Sequence, residues 1–100
     1  MGTIYLLNAL GTDNYKIGVT KREVKKRISQ LQTGCPDEII LLKKFDCLHY
    51  RKVEMWLHRE HASKRVEGEW FTLNEFDISS FESDCQRFNE IIQVLIESNP

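Results

Sequence analysis

The chain has no apolar run of about 18 residues or more, the length a membrane-crossing helix needs, so no such helix is expected. Its first residues, Met-Gly-Thr-Ile-Tyr-Leu-Leu, have neither the basic start nor the small-residue cleavage site of a secretory signal. There is no Cys-x-x-Cys pair, and Cys35, Cys47 and Cys85 fall in no pairing pattern. Such a set is expected to stay as free thiols in a reducing cytoplasm, not to form a disulfide framework. Repeats, low-complexity tracts and linkers are missing as well, which leaves one domain over residues 1–100. At that length roughly two-thirds of the surface can be buried without staples.

Net charge is nearly missing too, at −1, but the balance hides an asymmetry. Residues 1–66 carry 13 Lys and Arg against 7 Asp and Glu, a net of +6. Residues 67–100 carry 1 against 8, a net of −7. A basic front half suits a polyanion such as nucleic acid, although a merely solvated surface has the same composition. The acidic end should face away from any bound phosphate backbone.

What the chain does have is a series of short elements. Residues 3–9, rich in β-branched, aromatic and apolar side chains, predict a strand. Gly11, Asp13 and Asn14 mark a turn, and Tyr15 to Val19 predicts a hairpin partner. Thr20 and Glu23 form a capping-box pattern, so a helix is expected from there to about Gln32, ended by Gly34 and Pro36. A third strand is expected over Ile39 to Phe45 and a second helix over about Tyr50 to Ser63. Trp70 to Leu73 reads as a short strand or a tucked aromatic turn. Residues Phe81 to Glu97 predict an amphipathic helix with Phe81, Cys85, Phe88, Ile92, Leu95 and Ile96 on one face. That face would pack on the sheet or form a homodimer seam. The order predicts an α/β (α+β) domain: a small, mostly antiparallel three-stranded sheet flanked by helices.

Phasing sorts the polar residues. Val24, Ile28 and Leu31 form the stripe of the first helix, with Arg22, Lys25 and Lys26 pointing away and Arg27 on the flank. Arg27 should therefore lie where helix meets sheet, its head free to reach a cleft. In the second helix Glu54 and His58 share the flank of a Tyr50, Val53, Leu57 stripe, four residues apart. A carboxylate there is placed for a metal or for Arg27. On the strands, Tyr5 alternates with Ile4 and Leu6, and Lys16 with Tyr15 and Ile17, so Tyr15 should face away from Lys16. Gly18 permits a close approach. Lys21, Arg22, Lys25, Lys26, Lys43 and Lys44 are candidate phosphate contacts. A zinc site from Cys35, Cys47, His49, His58 and His61 is a further candidate, without the usual spacing.

Thr3-Ile4-Tyr5, Lys16-Ile17-Gly18, the helix bearing Arg27, Leu31-Gln32-Thr33-Gly34-Cys35-Pro36, the Glu54 segment and Gly68-Glu69-Trp70-Phe71 follow one another in order. Together they resemble the GIY-YIG endonuclease superfamily, chiefly its small phage-encoded branch that includes the meiotically up-regulated gene family. The resemblance covers about residues 3–73, leaving an acidic helical extension over about 74–100. Thr3 stands where the first motif has glycine. Lys16 stands where the second has tyrosine, with Tyr15 a lesser candidate for that role. The resemblance implies a GIY-YIG-like fold and hydrolysis of phosphodiester bonds, most naturally in DNA, inside a bacterial or phage-infected cell. It implies Mg²⁺ (or Mn²⁺) at Glu54, with Tyr5 orienting or deprotonating water and Arg27 and Lys16 stabilising phosphate charge. His58 is a second candidate base. A targeting partner protein would fit an enzyme this small. The alternative is a catalytically weak or inactive nucleic-acid-binding or protein-interaction module of the same fold.

Overall fold

Strand β1 (Gly2–Ala9) is apolar at almost every position because both of its faces are covered. In the computed structural model, which describes residues 1–98, it is an inner strand of a five-stranded antiparallel sheet, between β3 and β2. The other strands are β2 (Asn14–Thr20), β3 (Ile39–Cys47), β4 (Arg65–Glu67) and β5 (Trp70–Thr72), in the order β3-β1-β2-β5-β4. Helix α1 (Val24–Gln32) lies on one face, and α2 (Tyr50–Glu60) and α4 (Phe81–Ser98) on the other. A short helix α3 (Glu75–Ser79) leads into α4.

Register places the side chains. Tyr5 pairs with Gly18 and Leu7 with Lys16. Cross-strand partners share a face, so Tyr5, Leu7, Lys16 and Gly18 all lie on the α1 side. Tyr5 and Leu7 pack there with Val24 and Ile39. Ile4, Leu6 and Ile17 alternate to the opposite face, against Val53, Leu57, Cys85 and Phe88. Tyr15 packs with this second core, so it does face away from Lys16 as alternation requires.

The sheet corrects the three-stranded expectation. Strands β4 and β5 have three residues each, and every side chain of β4 is exposed, so no apolar alternation betrays it. The first helix also starts later than the capping-box pattern suggests. Thr20 ends β2, and its hydroxyl accepts from the Arg22 amide, so α1 begins only at Val24. Helix α2 stops at Glu60, followed by a 3-10 turn over Ala62–Lys64. Helix α3 escaped the sequence because it is short, although its capping box of Asn74 and Asp77 is fully formed. Leu95 and Ile96 stay half exposed, unlike Phe81, Cys85, Phe88 and Ile92. The 18-residue α4 packs on an α2 of 11 residues, which is too short to cover all of it.

Strand β5 matters beyond its length. On β2 it pairs with Asn14, Tyr15 and Lys16, so among the described residues no strand neighbours that edge of β2 from Ile17 onward. Phe71 fixes β5 there: it is fully buried, with the His58 ring 5.0 Å away and the His61 ring 6.4 Å away. Phe71→Ala should therefore cost about 3–5 kcal/mol in chemical denaturation. A loss below about 1 kcal/mol would show that β5 is not anchored by this ring.

Candidate active site

Glycine at position 18 lets a tyrosine ring lie across the sheet. A Cβ built there would overlap the Tyr5 hydroxyl, and that hydroxyl accepts a hydrogen bond of 3.4 Å from Arg27 Nε. Tyr5 is almost fully buried, and burial pushes its phenol above the usual range while the Arg27 bond and charge oppose it. Tyr5 is thus a neutral phenol at pH 7, suited to orienting a group and not to removing a proton.

Just before β5 begins, three acidic and basic side chains gather at the free edge of β2. Lys16 Nζ lies 3.0 Å from Glu69 Oε1, and its ammonium is 5.8 Å from the centre of the Trp70 ring. The Ile17 amide donates to the Glu69 carbonyl at 3.2 Å, which fixes the Glu69 backbone at this point. Glu54 reaches in from α2, with one carboxylate oxygen, Oε2, buried and without a hydrogen-bond partner among the described residues. Burial first, and the charge of Glu69 second, raise the Glu54 pKa from its usual 4.5 to about 7.

His58 serves the same edge differently. Its Nε2 lies 2.8 Å from the Ile17 carbonyl. A carbonyl only accepts, so Nε2 carries the proton and donates it. This nitrogen is therefore not free to act as a base or to bind a metal; it caps an exposed strand edge, and the lone pair of His58 is on Nδ1.

The residues fit a hard divalent cation. Ligand atoms of Glu54, His58 and Glu69 lie within 4.8 Å of one another. With His58 Nε2 engaged, two carboxylates remain, and Mg²⁺ and Mn²⁺ favour oxygen ligands. An unpartnered buried carboxylate oxygen costs free energy that such a cation would recover. The zinc set does not assemble. His49 pairs with Gln93 at 2.6 Å, His61 faces Asp77, and Cys47 is buried.

A basic cleft of about 400 Å³ adjoins the site, lined among others by Lys21, Arg22, Lys26, Arg27, Tyr50 and Arg51. Of the candidate phosphate contacts, Lys21, Arg22 and Lys26 line it. Lys25 is exposed on the outer side of α1, and Lys44 is exposed on the Tyr5 face. Lys43 is spent elsewhere, donating to the Ile78 carbonyl at 2.8 Å. Two residues given no role from the sequence belong here. Arg51 is three positions before Glu54, a spacing that puts both on one side of α2. Glu69 stands in the Gly-Glu-Trp-Phe stretch, and only the pairing of β5 with β2 brings it to Glu54.

These features define a small α+β domain with a pair of neighbouring carboxylates near a cation-lined cleft. A model of the T5orf172 domain matches residues 2–92, so the chain belongs to the T5orf172 domain family. That domain occurs in phage-related and nuclease-associated proteins. The match runs past Leu73 into α4. Comparison with curated proteins and with solved structures finds no match. Among the described residues no helix is long and apolar enough to cross a membrane.

The Glu54 shift carries a testable sign. Its folded pKa lies above the unfolded value, so the stabilising neutral form persists at low pH and is lost as pH rises from 4.5 through about 7. Cation-free Glu54→Gln should be more stable than wild type at pH 8, by up to about 3 kcal/mol, and nearly equal to it at pH 4. Denaturant melts at both pH values check this. A variant less stable than wild type at pH 8 would contradict it.

Proposed function

We propose that the chain is a metal-dependent endonuclease that hydrolyses DNA phosphodiester bonds. The observation that carries the reading is the meeting of Tyr5, Arg27 and Lys16 with the Glu54–Glu69 pair beside a basic cleft. The family match and the resemblance of the motif segments support it.

A divalent cation held by Glu54 would polarise the scissile phosphate and offset charge on the leaving oxygen. The chain's own groups do the rest. Arg27, still partly exposed, turns its guanidinium toward the cleft and can bind a phosphate oxygen in two-point fashion. Lys16 adds a second positive charge on the same side of the sheet. Tyr5, held over Gly18 and accepting from Arg27, keeps its hydroxyl proton free to orient the attacking water or a phosphate oxygen. Lys21, Arg22, Lys26 and Arg51 hold the flanking phosphates, contacts that position a strand without reading its sequence.

One observation favours a second reading, a nucleic-acid-binding module of the same fold that does not cut. The neutral Tyr5 phenol is not ready to take a proton from water, and His58 Nε2 already donates to the Ile17 carbonyl, which leaves Nδ1 as the one lone pair on that ring. Plasmid nicking separates the two readings. With Mg²⁺, wild type should nick a supercoiled plasmid, while Arg27→Ala and Glu54→Ala should each lose about 10²–10³-fold in rate. No product from wild type, or equal product from Glu54→Ala, would leave the binding module. In either case Arg51→Ala should weaken DNA binding alike for all sequences and lower the slope of log K against log salt by about 1. An unchanged slope would remove Arg51 from the interface.

A further inference from the structure

The proposed function rests the cation on Glu54 and gives Glu69, the carboxylate beside it, no step of its own. We propose that Glu69 is a second ligand of the cation held by Glu54, and that Lys16 is the built-in cation that occupies Glu69 otherwise; this rests on the cation reading of the site.

Four features of the site point there. First, two oxygens that share one Mg²⁺ at bond lengths of about 2.1 Å lie roughly 3–4 Å apart. The ligand atoms of Glu54 and Glu69 already fall within 4.8 Å. Second, Glu54 Oε2 is buried and, among the described residues, without a hydrogen-bond partner, so the group holds an acceptor that nothing uses; His58 Nε2 lies 3.9 Å from it. Third, Glu69 is held at both ends. Its carbonyl takes the Ile17 amide and its Oε1 takes the Lys16 ammonium. Fourth, the two carboxylates differ in access: the Glu54 side chain is 15 % exposed and that of Glu69 38 %. Glu54 is the inner ligand and Glu69 the outer one, on the side from which a hydrated ion arrives.

The Lys16 contact gives the arrangement a direction. An ammonium at 3.0 Å from Glu69 Oε1 repels an incoming cation and must yield part of that carboxylate to it. Cation binding thereby loosens Lys16 from Glu69 and frees its positive charge for a phosphate. Metal and DNA should reinforce each other through this one side chain.

The test measures Mn²⁺ binding to the full chain without DNA, from the electron paramagnetic resonance signal of the free ion. Wild type should bind, Glu54→Gln and Glu69→Gln should each weaken binding roughly tenfold or more, and Glu69→Asp should recover part of the loss. Lys16→Met should tighten binding by about threefold or more, an effect that a purely structural Lys16–Glu69 pair would not produce. Glu69→Gln keeps the side-chain shape at a half-exposed position, and Glu69→Ala, read in the same way, guards against a variant that fails to melt cooperatively. Binding within twofold of wild type in the Glu69 variants, with loss in Glu54→Gln, would overturn the Glu69 assignment and leave the Glu54 site standing. Weaker binding in Lys16→Met would overturn the competing role of Lys16. No Mn²⁺ binding by wild type would overturn both this inference and the cation in the proposed function. Binding that requires Glu69 but comes with no plasmid nicking would sustain the inference and sink the nuclease.

Discussion

The early end of β5 shapes everything around the site. A strand edge left open carries unpaired backbone groups that must be satisfied or exposed. After Lys16, the carbonyl of Ile17 takes its hydrogen bond from an imidazole, and the Ile17 amide turns to Glu69, the residue just before β5. These two substitutions for strand pairing bring α2 and the β4–β5 hairpin to the same few ångströms of β2. Had β5 been longer, a ladder of backbone bonds would have filled the space where Glu54 and Glu69 now meet.

The same place is where the fold gives up stability. Packing on both faces of β1 is dense, with Ile4, Leu6, Leu7 and Ile17 fully buried. Against that background the site holds a carboxylate oxygen without a donor, a second carboxylate beside it and a buried lysine. Each is costly in isolation. The lysine offsets part of the repulsion, but burial first and Glu69 second still raise the Glu54 pKa. Local rules broken together at one spot set this edge apart from the rest of the fold. The polar network of Lys64, His61, Asp77 and Asn74 behaves in the opposite way. There Lys64 meets Asp77 at 2.6 Å, the Asn74 amide donates to the same carboxylate, and the Asp77 pKa is lowered overall, as in a satisfied structural pin.

Much of this was legible in the sequence, because period and register are local. Strand alternation placed Tyr15 on the face opposite Lys16, and helical phasing placed Arg27 and Glu54 beside their apolar stripes; that Tyr5 shares the face of Lys16 follows only from the β1–β2 register. What escaped depended on partners distant in the chain. Nothing in Arg65-Val66-Glu67 announces a strand, since its side chains are all exposed and its pairing is with a neighbour as short as itself. Glu69 becomes a site residue only through that hairpin. Lys43 looked like a phosphate contact, but a register shift between Leu6 and Leu7 in the β1–β3 pairing sets it opposite Leu6, on the side of α3. His58 had the right spacing from Glu54, but spacing cannot say that a strand edge would claim its proton.

The central claim is that the gap beyond β5 is a cation site that serves phosphodiester chemistry. Anomalous diffraction from crystals of the protein soaked in Mn²⁺ tests it most directly. The account predicts a single strong peak within bonding distance of Glu54 Oε2, on the side facing Glu69. A peak bound elsewhere, or none at Glu54 in crystals that diffract well, would contradict it.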